Sequence, residues 1–244
     1  MKHVIDNILP SDNDSANAAV EPGIVLSRSV SFATLGCKTN QFESASMQET
    51  MQMAGYRVVP FDSGADLVIV NTCTVTSATD AQSRNLIRRA RRLNPACRIV
   101  VTGCYAQVDP EALHDLPGVS LVIGNEEKQR LLDYLKADSD STQVEVSDIR
   151  QAEQVCLPPL TSFSGRSRAF VQIQNGCDAF CSYCIIPYAR GASRSARPEE
   201  ILLQVDGLVN SGYQEVVLTG IHIGGYGNDL KPSISLLELV KEIE

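Results

Sequence analysis

The chain has 244 residues, 43% of them hydrophobic, with 21 Lys and Arg against 29 Asp and Glu for a formal net charge of −8. That size suits one large or two modest domains around a real core. No apolar run is long enough to cross a membrane and the N-terminus lacks the order of a secretory signal, so a cytoplasmic protein is expected.

In chain order, residues 1–28 are rich in Asn, Asp, Ser and Ala without a sustained period, which predicts a disordered extension. From Ser29 the pattern becomes strand, helix, strand: a strand over 29–36, a helix over 41–54 closed by Gly55, and a short strand over 56–59. The run DLVIVN at 66–71 is almost continuously apolar, as a strand buried on both faces must be. A helix over 77–93, strands at 98–102 and 121–123, and a helix over 126–136 follow. Alternating strands and helices predict a flavodoxin-like, doubly wound parallel sheet over 29–136. Residues 137–165 are polar and acidic and contain Pro158-Pro159, the composition of a linker, with room for one short paired strand.

A second unit is expected over 166–244: a strand at 169–174, a cysteine-rich loop, a helix at 197–209 entered through Pro198, and a strand at 214–219. Two strands and two helices cannot close an α/β barrel, so this unit is expected to be the first part of one, truncated. Charge is distributed unevenly. The stretches 1–28 and 137–165 hold most of the acid, whereas 80–98 and 166–197 are basic, which leaves room for a polyanion despite the net charge.

Eight cysteines in a reducing compartment point to metal or redox work rather than disulfides. Cys177, Cys181 and Cys184 lie within eight residues on one loop that follows a strand. Three thiolates suit a [4Fe–4S] cluster with one iron open to the amino and carboxylate groups of a small molecule. Zinc usually takes paired CxxC knuckles and a fourth ligand, and no second pair exists here. Cys37, Cys73 and Cys104 each follow the end of a predicted parallel strand, so folding should gather them on one sheet edge as a second three-thiol site. Cys97 and Cys156 lack partners at ligand spacing and are expected to be structural. His114 and His222 offer no ligand geometry.

Arg84, Arg88, Arg91 and Arg92 share one face of the 77–93 helix, either a solvated face or a phosphate-binding one. Arg190, Arg194 and Arg197 follow the cysteine loop, where contact with RNA or a cofactor is expected. Thr219-Gly220 ends a strand and lets the backbone approach a ligand, and Tyr183 either stacks on an adenine or packs.

CxxxCxxC after a strand resembles the radical S-adenosylmethionine enzymes, and the three spread cysteines ahead of it resemble the methylthiotransferases. TLGCKTNQFES, GNEEKQRLLDYL, CSYCIIPYARG and LTGIHIGGYGNDL resemble the branch acting on N6-threonylcarbamoyladenosine in tRNA. Sister branches, sharing the six cysteines, act on isopentenyladenosine in tRNA or on a ribosomal-protein aspartate. A non-enzymatic zinc module that binds RNA is the further alternative. The resemblance covers roughly 29–244 and implies two [4Fe–4S] clusters. Cys177, Cys181 and Cys184 would hold the one that binds and reduces S-adenosylmethionine, and Cys37, Cys73 and Cys104 the auxiliary one, which supplies or carries sulfur. Tyr183, Thr219 and Gly220 would line the cofactor. Two molecules of S-adenosylmethionine are implied, one as methyl donor and one cleaved to the radical that activates the adenine C2–H bond. Arg84, Arg88, Arg92, Arg190 and Arg194 are the candidate RNA contacts, and an electron donor of unknown identity is required.

Overall fold

The computed structural model describes residues 28–136, 141–155, 157, 160–163 and 167–244. The expected N-terminal extension up to residue 27, Cys156 and Pro158-Pro159 lie outside the described residues.

The first unit runs β1 (Ser29–Thr34), α1 (Lys38–Met53), β2 (Arg57–Val58), β3 (Leu67–Thr72), α2 (Ser77–Leu93), β4 (Arg98–Gly103), α3 (Cys104–Val108), α4 (Glu111–His114), β5 (Val119–Ile123), α5 (Leu131–Lys136) and β6 (Gln143–Glu145). Its strands form one parallel sheet in the order β2-β1-β3-β4-β5-β6. The first five follow the flavodoxin-like order, whose switch point lies between β1 and β3. Strand β3 is buried along its whole length because successive side chains feed opposite faces. Leu67 and Ile69 join Met47 and Met51 of α1, while Val68 and Val70 join Ile87 and Ala90 of α2. Helix α2 starts at a capping box between Thr76 and Thr79 and ends on Arg91 and Arg92, the favourable polarity at each terminus.

The second unit runs β7 (Ala169–Gln172), β8 (Gln174–Asn175), α6 (Ile186–Arg190), β9 (Arg194–Ser195), α7 (Pro198–Asn210), β10 (Val216–Thr219) and α8 (Leu236–Ile243). Strands β7 and β10 pair in parallel and β8 pairs antiparallel with β9. Helix α7 opens on Pro198 with Glu199 and Glu200 in its first turn.

Two expectations change. The described part of the linker packs further than expected: besides the one short strand allowed for there, β6 beside β5, it buries Val155, Leu160 and Phe163 in the core of the second unit. The helix expected at 126–136 begins as a 3-10 segment (Glu127–Arg130) before α5. Helix α1 joins the units. Its Met47 and Met51 face the sheet, while Phe42 and Ala45 enter the other core with Phe163 and Phe170. No helix among the described residues is long and apolar enough to cross a membrane.

Candidate functional site

Parallel strands deliver their carboxyl ends to one edge, and β1, β3 and β4 each deliver a cysteine there. Cys37 is the N-cap of α1, Cys73 follows β3 directly, and Cys104 is the first residue of α3. The three converge. A Cβ on Gly36 would stand 2.9 Å from the Cys73 sulfur, so the Cys37 loop lies against Cys73. Asn40 knits the edge: its amide donates to the Leu35 and Thr72 carbonyls at 2.7 and 2.9 Å, and the Cys37 thiol points to its Oδ1 at 3.9 Å. Burial pushes the Cys73 thiol up, and neighbouring Cys104 and Cys37 add to the push. Cys73 and Cys104 are buried and Cys37 is exposed.

Beside this trio lies a buried charge cluster. Arg190, with no exposed surface, donates from Nε to the Cys104 sulfur at 3.3 Å, and its other nitrogens engage Glu43 and the Asn40 Oδ1. Lys128 pairs with the same Glu43. Burial works against ionisation of Glu43, but Arg190 and Lys128 outweigh it and hold the carboxyl at about 2. Burial pushes the Lys128 ammonium down, so Arg190 is the cation held firmly charged beside the Cys104 sulfur.

The second trio sits on the loop between β8 and α6. Gly176 opens it at φ +74, where a Cβ would fall 1.8 Å from the Ala192 carbonyl oxygen. The Cys177 N–H donates to the Gly191 carbonyl at 3.1 Å, and the Cys184 N–H donates to that of Cys181 at 2.9 Å, turning the loop back on itself. Gln174 clamps the start by donating to the Gly176 carbonyl and Ser193, and accepts from the His222 N–H. Cys181 is exposed, Cys177 and Cys184 partly so. Gly176→Ala should therefore spread this loop. Its expected result is loss of the iron held by residues 177–184 with the iron at the sheet edge retained, read by iron analysis beside the parent.

Neither trio, nor any other group of three or more His, Cys, Asp or Glu among the described residues, is arranged as a single-ion site. One zinc would draw thiolate sulfurs to within about 4 Å of each other. A cubane takes each thiolate on a different iron and so spreads them. Three free thiols per site, with positive charge beside the buried trio, fit an anionic cluster.

The remaining predicted residues divide. Tyr183 is 89% exposed and free to stack. Thr219 is buried in register with Gln172, and Gly220 lies against Gln174, so both reach the edge where the Cys177 loop starts. Arg88 and Arg92 are exposed on α2, while half-buried Arg84 donates to the Tyr105 hydroxyl beside Cys104 at 2.8 Å. Arg190 departs from its expected RNA-facing role, because α1 and α3 supply it with buried partners. Arg194 is 5% exposed and also turns inward, donating to the Arg190 and Ala192 carbonyls. Cys97 is buried with its thiol on the Ala90 carbonyl, the structural place expected of it.

Asn40, Glu43 and Lys128 were not anticipated. The first two carried a signal: Cys37, Asn40 and Glu43 recur every third residue at the start of α1 and therefore share a face. Lys128 carried none. A pocket between the units is lined by Glu43, Asn125, Lys128, Gln172, Asn175 and Arg194, and within it the Asn125 Oδ1 and Arg194 Nε have no hydrogen-bond partner among the described residues.

Residues 29–124 match the family described as "Uncharacterized protein family UPF0004", and residues 171–244 match the Radical SAM superfamily. The threonylcarbamoyladenosine tRNA methylthiotransferase MtaB of Bacillus subtilis is 43% identical over 217 residues, covering 88% of this chain and 48% of that protein. Its Aquifex aeolicus namesake is 42% identical over 217 residues, covering 87% and 53%. The tRNA-2-methylthio-N(6)-dimethylallyladenosine synthase of Bartonella quintana is 32% identical over 224 residues, covering 87% and 49%. The chain thus spans about half the length of the curated relatives it matches. Among solved structures, the radical S-adenosylmethionine methyltransferase TsrM of Kitasatospora setae superposes with a TM-score of 0.59 at 16% identity, covering 88% of this chain and 52% of that one, a likeness of fold.

Proposed function

We propose, from the premise that this chain joins a UPF0004 domain to radical SAM sequence, that it carries the two cluster-binding units of an enzyme that places a methylthio group on C2 of N6-threonylcarbamoyladenosine in tRNA, beside the anticodon. One observation carries the reading: two separate cysteine trios, one gathered at the sheet edge and one on the loop after β8, tied together through Arg190. Higher identity to the two MtaB proteins than to the dimethylallyladenosine synthase supports the choice of nucleoside.

In this reading Cys177, Cys181 and Cys184 hold one [4Fe–4S] cluster and Cys37, Cys73 and Cys104 the other. With S-adenosylmethionine, those groups supply the one-electron cleavage and the methyl and sulfur transfer that no side-chain acid or base could perform on an aromatic C–H. The protein's part is placement. Burial of Cys73 and Cys104 shields two of the three sheet-edge thiols from water, and Gln174 and Gly191 hold the start of the other loop. Tyr183 offers an exposed ring for an adenine, and Thr219 and Gly220 let a ligand approach the backbone. Arg84, Arg88 and Arg92 form the basic face for tRNA phosphates, where each contact steepens salt dependence. An electron donor, of identity still open, and a cytoplasmic setting complete the proposal.

The test is anaerobic reconstitution with S-adenosylmethionine, a reductant and tRNA, followed by mass spectrometry of the digested nucleosides. Methylthiolated threonylcarbamoyladenosine is expected. Modification of isopentenyladenosine alone would contradict the choice of nucleoside.

A further inference from the structure

The side chain of Arg190 reaches the sheet edge, to Cys104 and its neighbours Asn40 and Glu43, although its backbone ends α6, the helix that follows the loop of the other trio. Its Nε–H donates to the Cys104 sulfur at 3.3 Å, Nη2 to Asn40 and, at 3.3 Å, to Glu43, and Nη1 to Glu43 as well. The flanking peptides are tied in both directions. The Ala189 carbonyl accepts from the Asn125 amide of the first unit at 2.6 Å, and the Gly191 carbonyl accepts from the Cys177 N–H at 3.1 Å. A ligand of one trio is thus connected to a ligand of the other through two adjacent residues.

The charges explain why an arginine is held there. A buried ion costs several kcal/mol of desolvation unless it is paired. Glu43 pairs with both Lys128 and Arg190, and burial pushes the Lys128 ammonium down, so the arginine is the firmly held cation and it has no exposed surface. Besides Asn40 and Glu43, the group that touches Arg190 is the Cys104 sulfur, at 3.3 Å. A cubane core with two positive charges, held by three thiolates, is a monoanion and gains a second negative charge on reduction. Net charge and hydrogen bonds to sulfur are among the factors that set the potential of such clusters.

Resting on the two-cluster reading above, we propose that Arg190 is a positioning residue of the sheet-edge centre: it clamps Cys104, supplies the charge that balances the cluster held there, and locks the two cysteine loops into one piece. Losing its charge and its N–H···S bond makes that cluster harder to reduce. Removing the negative charge of Glu43 makes it easier.

The experiment uses the full 244-residue chain in a background of Cys177→Ala, Cys181→Ala and Cys184→Ala, prepared anaerobically so that only the sheet-edge cluster contributes. Iron and sulfide content, the electron paramagnetic resonance spectrum and the midpoint potential are measured for this parent, Arg190→Met, Arg190→Lys and Glu43→Gln, with thermal unfolding as a fold control. Arg190→Met should shift the midpoint to more negative potential and alter the line shape. Arg190→Lys should recover part of the shift, and Glu43→Gln should move the midpoint the opposite way. If Arg190→Met fails to fold, the sign of the Glu43→Gln shift decides. An unmoved midpoint and line shape in Arg190→Met, or in Glu43→Gln where that variant decides, overturns the proposal and leaves the two-cluster reading standing. A parent that binds no four-iron cluster overturns both.

Discussion

Cys181→Ala is expected to bring reductive cleavage of S-adenosylmethionine to background while removing only about half of the iron, since each cubane holds four. The side chain is exposed and its thiol is free. What Cys181 gives the fold is its backbone carbonyl, which accepts from the Cys184 N–H and which alanine retains. Stability should therefore change by no more than about 0.5 kcal/mol, as at exposed positions generally. Loss is confined to one centre because the other three thiols keep their own anchors, the ends of β1, β3 and β4 and Asn40, when Cys181 is changed. Iron and sulfide analysis with chromatographic detection of 5′-deoxyadenosine checks both halves. Loss of all the iron from this one change would mean that the trios do not bind separate clusters.

Gly103→Ala should do the opposite, striking the fold and the sheet-edge centre together. Gly103 ends β4 at φ +98, and a Cβ there would lie 2.3 Å from the Thr72 carbonyl oxygen and 2.6 Å from the Thr72 nitrogen. Those are backbone atoms of the neighbouring strand, so they cannot swing aside as a flexible side chain would. Relief requires β3 and β4 to part at their carboxyl ends, where Cys73 and Cys104 begin. The Thr72 hydroxyl, which donates to the Thr102 carbonyl at 2.5 Å, is carried along. The positive φ and the overpacking together should destabilise the chain by roughly 3 kcal/mol, a fall in Tm of about 6–12 °C for a chain of this size. Iron held by Cys37, Cys73 and Cys104 should be lost with it. Thermal unfolding followed by circular dichroism, with iron analysis of the same sample, reads both effects; a variant with unchanged Tm would show that the strands tolerate the side chain.

The strands and the cysteine placement were legible because local pattern and global fold agree there. DLVIVN reads as a doubly buried strand, and both cores confirm its alternation. Because parallel strands share an edge, the sequence alone predicts that three cysteines separated by more than thirty residues each come together. Helices α3, α4 and α6, of five, four and five residues, escaped because none is long enough to show a helical period. Arg190 was misplaced for a different reason. After a polar cysteine loop an arginine reads as surface, and its partners Asn40, Glu43 and Cys104 lie 150, 147 and 86 residues away. Only docking of the units makes that position a buried one. The segment expected to be a linker misled similarly: its acidic composition conceals Val155, Leu160 and Phe163, whose apolar character matters only beside the second core.

One chain presents two distinct cysteine trios, one at the sheet edge and one on the loop after β8, each proposed to hold its own cluster. Mössbauer spectroscopy of the anaerobically prepared chain, with iron and zinc counted in the same sample, tests it most directly. About eight irons per chain in two cubanes are expected, each leaving one iron without a cysteine ligand. A colourless protein with zinc, or a single four-iron cluster that survives alanine at residues 37, 73 and 104, would contradict it.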